Sequence, residues 1–174
     1  ALLLRMTGVA TSVMGIDWDE EKVATARVAG ARLEHATFAS GDVRVVALPV
    51  ADTVMLIDIL HYLTRAEQDA LLVRAARATR RQIIIRDLDP DDGASSAFTQ
   101  SWEWVTTTLG YNRGARVAPR SFVEITALLE AEDLVVSRQR CSARGMSNVL
   151  LIGRRPSGAR YAMNHARVAR STRR

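Results

Sequence analysis

Ser12-Val13-Met14-Gly15-Ile16-Asp17, followed at once by Trp18-Asp19-Glu20-Glu21-Lys22-Val23, is the stretch on which the fold of this chain turns. An apolar strand ends on an acid, and a polar helix start comes next. The spacing predicts a strand over 12–16 and a helix over about 19–29, with Val23, Ala26, Arg27 and Gly30 recurring at helical spacing. Upstream, residues 1–6 read as the last turns of a helix. Thr7-Gly8 ends it, glycine being the usual residue just past a helix C-terminus.

Downstream the alternation continues. A short strand is expected over 36–39, closed by Ser40-Gly41-Asp42. A continuous apolar run over 53–57 suits a strand covered on both faces. The clearest helix spans 66–80, with Leu71, Leu72, Ala75 and Ala76 on one side and Glu67, Asp69, Arg74 and Arg77 on the other. Three isoleucines lead a strand over 82–86 into Asp87. A loop over 89–96, a helix over 98–109 and a helix over 119–132 follow. The last two strands, 134–140 and 148–153, are joined by a turn at Arg144-Gly145. This order predicts an α/β fold, a doubly wound, mainly parallel Rossmann-like sheet ending in an antiparallel hairpin.

The 174 residues suffice for one domain with a sizeable core. No apolar run approaches the ~20 residues of a membrane span, and Cys141 stands alone, so an internal disulfide is excluded. A cytoplasmic setting is the expectation. The net charge of +5 belongs to the end of the chain, where seven arginines follow Gly153 and no acid does. Without them, the remaining 17 basic residues face 19 acids. The expected division is a domain over 1–155 and a basic tail over 156–174. A basic tail is a weak sign of nucleic-acid binding, and a basic folded face would be a stronger one.

In a doubly wound sheet the carboxyl ends of the strands open on one edge, where ligands bind. Three acids fall at such ends: Asp17 with Trp18 beside it, Asp42 in Ser40-Gly41-Asp42-Val43, and Asp58 in Ile57-Asp58-Ile59-Leu60-His61-Tyr62-Leu63. A ribose needs acceptors for its hydroxyls, an adenine amino group needs one acceptor, and an ammonium-bearing tail needs a carboxylate or carbonyl. Three acids suit a cationic ligand without phosphate. They suit a pyrophosphate poorly.

These residues, with Asp52-Thr53-Val54-Met55-Leu56, Ile83-Ile84-Ile85-Arg86-Asp87 and Asn148-Val149-Leu150-Leu151-Ile152, give a chain that resembles the class I S-adenosylmethionine-dependent methyltransferases over about residues 1–155. The resemblance implies S-adenosylmethionine as cofactor and a small-molecule oxygen or carbon acceptor. It implies Asp17 on the ribose hydroxyls, Trp18 on the adenine, and Asp42 at the adenine amino group with Val43 donating from its backbone. Asp58 and Ile59 would lie beside the methionine portion. His61 and Tyr62 are the residues expected at the acceptor, histidine being the side chain suited to general-base work near neutral pH. No metal, nucleic acid or membrane is expected as a partner, and a homodimer is left open.

Two departures from the family pattern bear on the outcome. The glycine-rich loop after the first strand has no counterpart, and Thr79-Arg80-Arg81 stands where Pro-Gly-Gly is common. The expectation is a methyltransferase lacking its first strand at the N-terminus, a strand that normally lies between those ending at Asp17 and Asp58. Such a fragment would bind the cofactor weakly or not at all.

Each site residue also has a duller reading. Asp17 with Glu20 has the spacing of a capping box. Gly-Asp at 41–42 is ordinary turn chemistry, and a histidine at a helix start can be structural. Arg86-Asp87 can be a plain ion pair, and Trp102 and Trp104 can be packing residues or a lid. Two other function classes remain. One is a dinucleotide-binding oxidoreductase domain, which an upstream Gly-x-Gly-x-x-Gly would favour. The other is a non-catalytic interaction module with a nucleic-acid-binding tail. Deleting residues 158–174 tests the latter. With a methyltransferase, the chain with and without its tail is expected to show no salt-sensitive nucleic-acid binding in anisotropy titrations.

Overall fold

The computed structural model describes residues 1–88, 119–140 and 148–156. The expected loop over 89–96, the helix over 98–109 with Trp102 and Trp104, Cys141, the turn at Arg144-Gly145 and the tail beyond 156 lie outside the described residues. The chain divides into two compact units, Ala1–Ala47 and Leu48–Arg174.

In the first unit, α1 (Leu2–Met6) stops at Thr7, and Gly8 takes the left-handed φ of 72° that glycine tolerates. Strand β1 (Val13–Asp17) leads into α2 (Glu20–Gly30), which returns to β2 (Ala36–Ser40). The two strands pair in parallel, Val13 opposite Ala36 and Asp17 opposite Ser40. Asp19 starts α2, its carboxylate accepting from the Glu21 and Lys22 amides at 3.0 and 3.1 Å. Such a cap satisfies donors that the helix itself leaves unpaired. The helix packs on the strand pair around Phe38. A Cβ on Gly15 would lie 2.8 Å from that ring, and one on Gly30 would lie 2.9 Å from it. Both glycines are therefore required by the ring's volume.

The second unit holds β3 (Ala51–Ile57), α3 (Arg65–Ala78), β4 (Thr79–Leu88), α4 (Phe122–Ala131), β5 (Val135–Arg140) and β6 (Asn148–Arg154). Its sheet runs β3-β4-β6-β5. Strands β3 and β4 are parallel, and β6 is antiparallel to both β4 and β5. The strands of the described residues thus fall into a two-stranded and a four-stranded sheet. The α/β alternation, the parallel pairs and the closing antiparallel hairpin are as expected from the sequence, in a Rossmann-like arrangement.

Along β4 the pleat sorts the side chains. Ile83, Ile85 and Asp87 are buried, while Gln82, Ile84 and Arg86 are only half-buried. The buried set faces α3, whose Leu71, Leu72, Ala75 and Ala76 pack in turn with the helix carrying the apolar stripe Phe122, Ile125 and Leu129, all under 4% exposed. Helix α3 opens with a capping box: Thr64 accepts from the Glu67 amide, and Glu67 accepts from the Thr64 amide. It ends two residues earlier than its periodicity suggests, because Thr79 and Arg80 already belong to β4, where Thr79 pairs with Ala51. Among the described residues no helix is long and apolar enough to cross a membrane.

Arg155 ties the ends of these elements together. Its guanidinium donates to the carbonyls of Ala76 at 2.8 Å, Thr79 at 3.3 Å and Glu132 at 2.5 Å. One cation thereby caps the C-terminus of α3, the start of β4 and the chain just past α4, where cations also favour the helix dipoles. Next to it, Glu132 receives the Arg77 fork and holds that guanidinium's pKa above its usual value by hydrogen bonding and charge. Replacing Arg155 by Met keeps much of the stem and removes all three bonds. It is expected to cost about 1–3 kcal/mol, read as a lower urea midpoint with an unchanged slope.

Candidate functional site

At the carboxyl edge of β1 and β2, the parallel register places Asp17 beside Ser40. The Gly41 amide donates to the Asp17 carbonyl at 2.9 Å, so the turn carrying Asp42 and Val43 starts at the same edge. Asp17 does not cap the helix with Glu20. The cap sits two residues later, at Asp19, and Asp17 instead accepts from the Asp19 amide through Oδ1 at 3.0 Å. Trp18 is 55% exposed next to it. The Asp42 carboxylate is engaged within its own turn. It accepts from the Arg44 amide at 2.9 Å, and the Arg44 guanidinium lies 2.6 Å from Oδ2. Val43 is half-buried. Asp17, Trp18, Asp42 and Val43 thus gather at one edge of the first unit.

In the second unit, β3 ends opposite Arg86, its partner in register with Ile57. Asp58 then turns the chain with a left-handed φ of 51°, uncommon for a residue other than glycine. The Asp58 amide donates to the Arg86 carbonyl at 2.8 Å, and Arg86 Nε donates to Asp58 Oδ1 at 3.1 Å. A second bond, from Arg86 Nη2 to Asp58 Oδ2, completes the fork. The carboxylate expected near an ammonium group therefore already faces a guanidinium. The two side chains stay about two-fifths exposed, Arg86 at 38% and Asp58 at 43%.

Ile59 leads into a single 3-10 turn, Leu60–Tyr62. His61 is buried there with Asp87: Nδ1 lies 2.6 Å from Oδ1, and the two side chains are 6% and 3% exposed. Asp87 Oδ2 accepts from the Leu60 amide at 2.8 Å. With the shared proton on Nδ1 of the imidazole, Asp87 accepts on both oxygens and the second ring nitrogen is Nε2. The Tyr62 ring lies 4.0 Å from the His61 ring, tilted by 48°, and Tyr62 is 42% exposed. Chemically, this is an imidazole oriented by a carboxylate beside an accessible phenol. Asp58, Ile59, His61 and Tyr62 occupy one edge of the second unit.

Arg86 and Asp87 do not pair with each other. Adjacent residues of a strand point to opposite faces, so Arg86 reaches Asp58 while Asp87 reaches His61. The sequence reading missed Gln68, whose buried amide donates to the carbonyls of Leu60 and Leu63 at 3.0 and 3.1 Å. Its signal was present, since 68 shares the helical stripe of 71, 72 and 75 and is its one polar member.

The chain is similar to the magnesium protoporphyrin IX methyltransferase of Synechocystis PCC 6803 with bound SAH, at 21% identity and a TM-score of 0.62. An O-methyltransferase family protein from Burkholderia thailandensis matches at 20% and 0.63, and the N-methyltransferase NodS of Bradyrhizobium japonicum WM9, in complex with S-adenosyl-L-homocysteine, at 15% and 0.64. The chain has the class I S-adenosylmethionine-dependent methyltransferase fold. The matches cover 83%, 84% and 90% of it. In turn the chain spans 64% of the Synechocystis enzyme, 44% of the Burkholderia protein and 73% of NodS. No protein-family model matches the sequence, and a search of curated proteins gives no significant match.

Within this methyltransferase fold, Asp87 is the buried carboxyl group on which the His61 turn rests. Asp87→Ala would leave the Leu60 amide and His61 Nδ1–H without their acceptor in the interior. Removing one member of a buried polar pair typically costs about 3–5 kcal/mol, and a loss of that size is expected in urea unfolding of the variant.

Proposed function

We propose that the chain serves methyl transfer from S-adenosylmethionine to a small-molecule oxygen or carbon acceptor in the cytoplasm. The observation that carries this reading is the carboxyl edge of the parallel pair β1 and β2, where Asp17 ends one strand with Trp18 next to it and the Asp42 turn follows the other, within a methyltransferase fold. The donor set fits a nucleoside. Asp17 spends Oδ1 on the Asp19 amide, which orients Oδ2 for a ribose hydroxyl. Trp18 offers an exposed face for the adenine. Asp42 would meet the adenine amino group by sharing the carboxylate that Arg44 holds through both oxygens, with the Val43 amide beside it.

S-adenosylmethionine supplies an electrophilic methyl group on a good leaving group, so positioning carries most of the rate. Asp58 and Ile59 would lie at the amino-acid end of the cofactor. Because Asp58 is forked by Arg86, its carboxylate would share its charge between that guanidinium and an ammonium group. His61, its Nδ1 proton held by Asp87, would take the proton of an acceptor hydroxyl or an acidic carbon through Nε2. Tyr62 would flank the acceptor. Neither a nucleic acid nor a membrane enters this reading, and a homodimer is compatible with it.

Titration calorimetry of the 174-residue chain with S-adenosylhomocysteine tests it. Saturable binding weaker than micromolar is expected, and Asp17→Ala is expected to weaken it about tenfold or more, a change of about 1.4 kcal/mol. Equal binding by the variant would overturn the ribose assignment. Heat released with a nicotinamide dinucleotide and none with S-adenosylhomocysteine would replace methyl transfer by the oxidoreductase alternative.

A further inference from the structure

On the inward stripe of α3, Leu71, Leu72 and Ala75 are completely buried, and so is the amide of Gln68. Burying an amide is unfavourable unless its hydrogens find acceptors. Both donated bonds of Gln68 Nε2 end on one short turn, at the carbonyls of Leu60 and Leu63. From the other side, Asp87 of β4 accepts from the Leu60 amide and from His61 Nδ1. The main-chain donor and acceptor of Leu60 are thus each held by a side chain, one from a strand and one from a helix. His61 is the next residue.

The turn contributes little holding power of its own. Its internal bonds are Tyr62 N–H to the Ile59 carbonyl at 3.2 Å and Leu63 N–H to the Leu60 carbonyl at 2.9 Å, and a single 3-10 turn is a weak element. An imidazole can keep a 2.6 Å bond to a fixed carboxylate only if its own Cα stays in place. The strand-borne half of that requirement is met by Asp87. The helix-borne half falls to Gln68.

We propose that Gln68 is a positioning residue for His61: by bridging the two ends of the turn it keeps the imidazole on Asp87 in the Nδ1–H form, with Nε2 as the base. This rests on the reading of His61 as the acceptor-side base, but the contacts of Gln68 with the turn involve neither cofactor nor acceptor. A merely structural Gln68 would stabilise the unit as a whole. A positioning Gln68 governs the local opening of one ring.

Hydrogen exchange followed by NMR on the isotope-labelled full chain distinguishes the two. In the wild type, the His61 ring proton and the Leu60 amide both end on Asp87, and their protection factors, each rate taken relative to the intrinsic exchange of its own kind of group, are expected to agree within about threefold, as one opening unit. Gln68→Met keeps the length and removes both donors. Exchange of the His61 ring proton is expected to accelerate about tenfold or more relative to the amides of Ile125 and Leu129 in α4, which report the stability of the unit. Equal acceleration at all of these sites would mean general destabilisation and overturn the proposal. Where the variant does not fold, the wild-type comparison decides: a ring-proton protection factor about tenfold or more below that of the Leu60 amide shows a ring that the frame does not hold, and overturns the proposal. A chain that fails the cofactor titration but passes this test loses the methyl-transfer reading and keeps the frame.

Discussion

Because successive side chains of β4 leave opposite faces of the sheet, one strand does two jobs in the second unit. Ile83 and Ile85 bring apolar volume to the helices, and Asp87 carries a carboxylate into the same space at the strand's end. On the other face Arg86 reaches across to Asp58, its neighbour at the end of the paired strand. The β3–β4 register fixes which residues meet. A slip of one residue would exchange the two faces, turning the guanidinium inward and the carboxylate out. The packing of the core and the arrangement of the polar turn therefore depend on the same hydrogen-bond ladder.

Much of this was legible in the sequence, for identifiable reasons. The three isoleucines before Arg86, the apolar run before Asp58 and the striped helix between them are period and composition signals, and all three elements formed. What stayed hidden was partner choice. Sequence neighbours such as Arg86 and Asp87 suggest a pair, while the pleat forbids it and sends each to a residue more than twenty positions away. The helix cap was displaced for a similar reason. Asp17 and Glu20 have the right spacing, but β1 runs through Asp17 in extended conformation, so the first residue able to turn into the helix is Asp19. The nucleoside and acceptor roles of Asp17, Asp42 and His61 rest on a different footing, since spacing places them at strand ends and chemistry alone suggests their ligands.

The two polar edges differ in character. At the first, the acids are answered locally, Asp17 by an amide two residues on and Asp42 by Arg44. At the second, each charge is answered from a distant element, with Asp87 and Gln68 holding a turn that has few bonds of its own. Local partners leave a carboxylate adaptable, because the loop that satisfies it can move with it. Distant partners make a group rigid, because moving it would break contacts with a strand and a helix together. Adaptability suits recognition of a flexible ligand, and rigidity suits a group that must present a lone pair in one direction.

Phe38 gives the first unit a different kind of dependence. Its ring fills the space that Gly15 and Gly30 leave open on β1 and α2, so three positions far apart in the chain form a single volume. None of them can drift independently. A larger residue at either glycine demands a smaller one at 38, and a smaller residue at 38 opens a void that side chains at 15 or 30 can refill. Over evolutionary time these sites are bound to vary as a set, and a homologue in which one has changed should carry its compensation at another.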